Sequence, residues 1–251
     1  MNEYEQLGLF DDEFPKYEIK KPIRLIELFA GVSSQSMALK RLGVDFERYR
    51  VVEFDEFAIK SLNAICGTNF PTMDVTKITA ADLGIVDTDK YEYILTYSFP
   101  CQDLSLAGKQ RGMEEGSGTR SSLLFEVKRL LQECGDNLPQ VLVMENVPQV
   151  ASEQNLPSFE KWLSFLREKG YSNFYNFLNA KDFGVPQNRD RCFMVSMLGR
   201  YDFAFPKEIP LEKVMADVLE DDVPEKFFIN SEKADKLIEQ LIKDGKIEVL
   251  G

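Results

Sequence analysis

The chain has 251 residues, 44% hydrophobic and 29% charged, with a formal net charge of −12 and no histidine. That length suits one sizeable α/β domain, or one domain with a short appendage, and the composition is that of an ordinary soluble globular protein. The lack of histidine excludes Ser-His-Asp and Cys-His hydrolases, HExxH metalloproteases and histidine-based acid–base chemistry, and no apolar run approaches the roughly 18 residues of a membrane span.

Residues 1–22 are polar and acidic, without an apolar signal-peptide core, and read as a loosely ordered arm closed by Pro22. A cytosolic location follows as the expectation. A repeating pattern begins at Ile23. The run IRLIELFA (23–30) is short and apolar and ends in small residues, as a buried strand does. Residues 34–43 carry Met37, Ala38, Leu39 and Leu42 at helical spacing, with Gly43 as the stop. A strand is expected over 49–55, a helix over 57–67, and a strand over 91–100 ending in Pro100. An amphipathic helix over 121–135 and a strand over 140–147 come next. The helix expected over 157–170 has Pro157 near its start. After Tyr171 two β-rich runs flank the loop VPQNRDR, which predicts an antiparallel pair. Beyond Phe205 the chain is acidic and punctuated by proline, with one helix over 231–245 and the short apolar run KIEVLG. Alternating strands and helices closed by a hairpin predict a doubly wound sheet with an antiparallel edge. The expected division is an arm (1–22), a catalytic domain (23–205) and an extension (206–251).

Several stretches carry chemistry. LFAGVSSQS (28–36) joins the first strand to the first helix, where small residues admit a ligand to the backbone and a helix N-terminus offers free N–H groups. Alone, it reads equally as a tight strand-to-helix turn. Glu53 ends the next strand, where an acid accepts ribose hydroxyls in doubly wound sheets; it reads equally as an exposed strand-end acid. Asp74, in FPTMDVTKI, could read an adenine amino group.

The most informative stretch is SFPCQDLSLAGKQRGM (98–113). Cys101 sits just past a buried strand, at the carboxyl edge of the sheet where α/β sites lie. A thiolate is a strong nucleophile at neutral pH once its pKa is lowered. Without histidine, that lowering falls to local N–H dipoles or arginine. The other reading of a lone cysteine is a buried structural thiol. Cys66, Cys101, Cys134 and Cys192 form no CxxC pair, so neither a zinc site nor a disulfide framework is expected. Lys109 and Arg111 follow in a loop suited to a phosphate backbone. Glu145 and Asn146 close the strand VLVM, where an acid costs free energy unless it faces a cleft. Arg189 and Arg191 alternate, as two residues on one side of a strand do, or as a pair of surface arginines.

In this order and spacing, these pieces resemble the cytosine-5 DNA methyltransferase family. The FAG turn, Glu53, PCQ, S-x-AGKQRG, T-R-S-x-L-L-F-E (119–126), ENV and Q-x-R-x-R carry the resemblance, from about Ile23 to Leu198. It implies a Rossmann-like sheet that binds S-adenosyl-L-methionine and acts on a cytosine flipped out of double-stranded DNA. Cys101 would attack C6 of that base, and Glu145 would bind and protonate N3. C5 would then take the methyl group, and loss of its proton and of Cys101 would restore the ring. Arg191 and Arg189 would hold the base. Phe29, Ala30, Gly31 and Ser33 would line the methionine side of the cofactor, with Glu53 and Phe54 at its ribose and Asp74 and Val75 at its adenine. Pro100 and Leu123 would complete the pocket. Gln102, Ser105, Lys109, Arg111, Asn146 and Gln187 would contact the substrate.

Two departures stand out. Family members have a second glycine at Ser33, in FAGxG, where Ser33 followed by Ser34 stands instead, and a Cβ crowds close backbone approach. No target-recognition region, RxLTxxE segment or GN[AS]V-like segment follows Leu198. The resemblance therefore implies a catalytic half that works with a second polypeptide or with further chain. The net charge of −12 fits a basic DNA-reading surface supplied from elsewhere. A catalytically silent assembly subunit of the same fold, and a tRNA cytosine-5 methyltransferase, remain alternative readings. Neither membrane nor metal is expected, and use on the nucleoid is.

Overall fold

The computed structural model describes residues 14–100 and 123–247. Six strands form one sheet: β1 (Ile23–Leu28), β2 (Phe46–Val52), β3 (Glu92–Tyr97), β4 (Val141–Asn146), β5 (Tyr171–Asn179) and β6 (Asp190–Leu198). Their spatial order is β2-β1-β3-β4-β6-β5. The first four run parallel, and β6 lies between β4 and β5, antiparallel to both. This is the expected doubly wound, Rossmann-like sheet with a hairpin at its edge. The apolar runs account for its centre. All six residues of β3 are buried, as a strand covered on both faces requires.

The helices are α1 (Ser34–Arg41), α2 (Glu56–Cys66), the short α3 (Ala80–Leu83), α4 (Leu124–Glu133), α5 (Leu156–Glu168) and α6 (Glu232–Lys243). Their ends follow local chemistry. Asp55 caps α2 by accepting the N–H groups of Phe57 and Ala58, and Gly67 stops it in the left-handed conformation at φ 65°. α4 buries Leu124, Val127, Leu130 and Leu131, and α5 buries Phe159, Trp162, Leu163, Phe165 and Leu166. These side chains pack in one cluster with Leu28, Leu95, Tyr97, Leu142 and Met194 of the sheet. Each such burial contributes about 1.5–3 kcal/mol. Trp162 Nε1 also donates to the Tyr97 hydroxyl at 3.2 Å, so the largest core side chain leaves no polar atom unpaired.

Three expectations shift. The strand expected over 49–55 is Phe46–Val52, ending before Glu53, whose carboxylate instead accepts the Asp55 N–H at 2.9 Å as the chain turns into α2. The described part of the N-terminal arm is docked. Tyr17 meets Tyr201 edge to face at 4.7 Å, its hydroxyl donates to Glu92, and Asp202 N–H donates to Pro15 O at 3.1 Å. Tyr17 covers the second cluster of Ile23, Leu25, Ile94 and Met197, which explains why this polar stretch is ordered. Arg189 precedes β6, so it does not share a strand face with Arg191. Residues 248–251 of the expected last apolar run and residues 121–122 of the expected helix start lie outside the described residues. Among the described residues, no helix is long and apolar enough to cross a membrane.

Candidate active site

The chain leaves β1 towards β2 on one side and returns to β3 on the other. A crevice therefore opens at the carboxyl ends of these strands, where doubly wound sheets bind ligands. A cavity of about 390 Å³ lies there, within the range of small-molecule sites. Its apolar walls come from Phe29, Val52, Phe54, Met73, Val75, Pro100 and Leu123, and its polar groups from Glu53, Asp74, Thr76 and Ser98.

Glu53 is anchored rather than loose. One carboxylate oxygen accepts the Gly31 N–H at 2.9 Å and the other accepts the Asp55 N–H at 2.9 Å. Each oxygen keeps a lone pair for a hydroxyl donor. Asp74 accepts the Thr76 hydroxyl at 2.8 Å and the Thr76 N–H at 3.0 Å. These bonds hold its carboxyl below the ordinary carboxylate range. A ligand with an apolar body and hydroxyl or amino donors suits this set of acceptors.

The turn after β1 supplies Phe29 to the cavity and Gly31 N–H to Glu53. Gly31 has φ 53°, a left-handed conformation that costs a glycine little. Ala30 is buried under α2, beside Val51, Ile59 and Leu62. Ser33 points away from the cavity: it is fully buried, and its hydroxyl donates to Glu27 at 2.5 Å.

A second group of residues forms where β4 and β6 meet. Their antiparallel register sets Glu145 opposite Phe193 and Asn146 opposite Cys192. Arg191 Nε pairs with the Glu145 carboxylate at 2.7 Å, with side-chain exposures of 20% and 26%. This is a half-sheltered pair, able to exchange one partner for a polar ligand. Asn146 is turned inward. Its amide donates to Phe99 O at 3.0 Å and its oxygen accepts the Val147 N–H at 2.9 Å. It thereby ties the strand end that leads to Pro100 against Glu145's own strand. Arg189 and Gln187 are exposed. Cys192 is a structural thiol, pushed up to about 12 by burial and by the nearby Glu145 charge. Cys101, Gln102, Ser105, Lys109 and Arg111 lie outside the described residues.

Two supporting residues escape a reading of the sequence. Arg129 of α4 donates to Val75 O at 3.0 Å and Ile78 O at 2.9 Å, and it pairs with Glu126 at 2.8 Å and Glu133 at 2.7 Å. It fastens the loop that carries Asp74 and Val75 to the helix that begins beside Leu123. The spacing of Glu126, Arg129 and Glu133 is the available signal, since i,i+3 and i,i+4 pairs meet on a helix. Asn179 does the same for the hairpin loop. Its oxygen accepts the N–H groups of Lys181 and Arg189, and its amide donates to Asn188 and Asp190. Among the described residues, no cluster of three or more His, Cys, Asp or Glu side chains could hold a metal ion.

Comparison with known proteins gives the chain a family and a fold. The sequence profile described as C-5 cytosine-specific DNA methylase matches residues 23–248. The type II methyltransferase M2.ScrFI of Lactococcus lactis subsp. cremoris is 45% identical over 147 residues, 58% of this chain and 40% of that protein. The orphan methyltransferase M.SssI of Spiroplasma monobiae is 45% identical over 139 residues, 55% of this chain and 36% of that protein. The match thus spans well under half the length of either relative. Among solved structures, the methyltransferase EhMeth of Entamoeba histolytica superposes with a TM-score of 0.69 at 18% identity, covering 84% of this chain and 64% of that one. That likeness concerns the fold; the profile match concerns the family, and by it the chain belongs to the C-5 cytosine-specific DNA methylases.

Proposed function

We propose that this chain is the catalytic part of a DNA cytosine-5 methyltransferase, with residues 23–205 as the catalytic unit, transferring a methyl group from S-adenosyl-L-methionine to C5 of a flipped cytosine. The observation that supports the reading is one sheet edge that carries both a cavity and a half-sheltered ion pair. The cavity with its anchored Glu53 lies at one side, the Glu145–Arg191 pair at the other, and Asn146 ties the two.

The cavity residues fit the cofactor by class. Glu53 would accept the ribose hydroxyls, Asp74 the adenine amino group, and Phe29, Phe54, Val75, Pro100 and Leu123 would cover the apolar faces. When bound, the cofactor supplies an electrophilic methyl group. The Cys101 thiolate would attack C6 of the cytosine, forming a C–S bond while the ring electrons move towards N3 and C5. Glu145, in its protonated form, would donate to N3 and stabilise that charge. Arg191 would orient Glu145 and the base, with Arg189 at the rim. After methylation at C5, release of the C5 proton to water expels the thiolate and restores the ring. Lys109, Arg111, Gln102, Ser105 and Gln187 would engage the DNA around the base, as charge-assisted phosphate and base contacts do.

The reading includes a second polypeptide that supplies target recognition, so that the assembly acts on nucleoid DNA. Its support is the apolar surface of residues 206–247, where Phe227, Phe228, Ile229, Leu237 and Ile238 are exposed. The experiment is tritium transfer from labelled S-adenosylmethionine to unmethylated DNA or to tRNA. The chain is assayed alone and with a protein carrying the RxLTxxE and GN[AS]V-like segments. Incorporation into DNA with that protein supports the reading. Transfer by the chain alone removes the need for a partner, and transfer to tRNA alone changes the substrate. A covalent adduct with 5-fluorocytosine DNA that persists in Cys101→Ser refutes the nucleophile.

A further inference from the structure

Three residues of the turn after β1 take positive φ: Phe29 at 55°, Gly31 at 53° and Ser33 at 66°. For Ser33 this left-handed conformation sets its Cβ against the following carbonyl, a cost a glycine would not bear. Something must offset it. Ser33 is fully buried, and so is Glu27 on β1. The Ser33 hydroxyl donates to Glu27 Oε2 at 2.5 Å and lies 2.5 Å from the Ser36 hydroxyl. Ser36 in turn accepts from Arg48 Nη2 at 2.9 Å. Each hydroxyl has one proton to give. Arg48 donates to Ser36, Ser36 gives its proton to the Ser33 carbonyl oxygen at 2.9 Å, and Ser33 gives its own to Glu27, which is the terminal acceptor. The turn that this chain of bonds pins has two outputs at the cavity: the Phe29 side chain and the Gly31 N–H that anchors Glu53.

We infer that Glu27 is a positioning residue for the cofactor cavity: its buried carboxyl accepts the Ser33 hydroxyl and so holds a serine in the left-handed conformation that sets Gly31 N–H against Glu53. The inference rests on the reading of that cavity as the S-adenosylmethionine site. It turns the serine at this place from a weakness into half of a matched pair. Cofactor affinity then depends on the fraction of molecules whose turn is in the competent conformation.

The test is calorimetric titration of the full chain with S-adenosylhomocysteine, together with amide exchange at Gly31. Ser33→Ala keeps the Cβ and loses the bond. It is expected to weaken binding about tenfold, the effect of one lost buried hydrogen bond, and to speed Gly31 exchange. Ser33→Gly removes bond and strain together and is expected to recover most of that loss. Glu27→Leu, of similar volume, should weaken binding as Ser33→Ala does, yet add little when combined with Ser33→Gly. Equal affinities and exchange rates in all variants overturn the inference, as does a Glu27→Leu penalty that persists undiminished in the Ser33→Gly background. If even the unaltered chain fails to bind the ligand while Gly31 exchange follows the expected order, the cofactor reading fails and the positioning role stands.

Discussion

A single carboxylate sits between two demands in this site. Glu145 is held by Arg191 at 2.7 Å in a half-sheltered place, yet the proposed chemistry needs it protonated against a ring nitrogen. On that chemistry the arginine would orient the group and would have to yield when the base arrives. Replacing Glu145 with Gln preserves the shape and removes the acid. Methyl transfer is expected to fall by about 10²-fold or more, the usual worth of a positioned general acid. Binding of S-adenosylhomocysteine, measured in parallel, should stay unchanged because Glu145 does not line the cavity. A similar loss of affinity would sink the assignment. Glu53, Phe54, Asp74 and Val75 line one cavity; a strand-end position in a doubly wound sheet has a predictable outlet, which made Glu53 legible, whereas Phe54 and Val75 were reached only through the family resemblance. The inward turn of Ser33 and of Asn146 was not legible. Asn146 is spent on Phe99 O, far away in sequence, and Ser33 on Glu27, which reaches it only because the turn takes a left-handed conformation that no local pattern reports.

At the level of elements, hydrophobic periodicity located every strand and the long helices to within a few residues. What it left out is how the connecting loops are fixed. The stretch between Met73 and Ile78 forms no strand, and its carbonyl groups would face solvent without Arg129. Instead the guanidinium takes Val75 O and Ile78 O and is itself held by Glu126 and Glu133. Arg129→Met keeps the apolar stem and deletes those bonds. It is expected to lower unfolding stability by about 1–3 kcal/mol, with a reduced urea midpoint and faster proteolysis near residues 73–78. An unchanged midpoint and cleavage pattern would show that the loop is held by its apolar side chains alone. A long-range side-chain-to-backbone tie of this kind is invisible in sequence because its acceptors are main-chain atoms, present at every residue.

The whole molecule buries several groups in the neutral form. Cys192 is pushed up to about 12 and Cys134 to about 11, in both cases first by burial, and buried Tyr97 and Tyr171 shift in the same direction. A raised folded-state pKa means that these groups favour the folded state fully below their unfolded values, about 8.5 for a thiol and 10 for a phenol. That contribution is lost as pH climbs towards the folded values, because the unfolded chain sheds its protons first. Thermal unfolding temperatures are therefore expected to fall from about pH 9 upward, and alkylation of native Cys192 at pH 8 should be slow against a denatured control. A flat profile between pH 8 and 10.5 would contradict the burial assigned here. The cavity has a last consequence. Pro100 and Leu123 both belong to its wall, and in the sequence they bracket the stretch that contains Cys101. A ligand that fills the cavity would touch both residues that flank that stretch, and under the proposed function the two substrates are then expected to be energetically linked. Reciprocity follows from thermodynamics: whatever factor S-adenosylhomocysteine adds to DNA affinity, DNA must add to S-adenosylhomocysteine affinity. Titrating each ligand in the presence and absence of the other measures the linkage, and independent binding would show that the flanking residues do not transmit it.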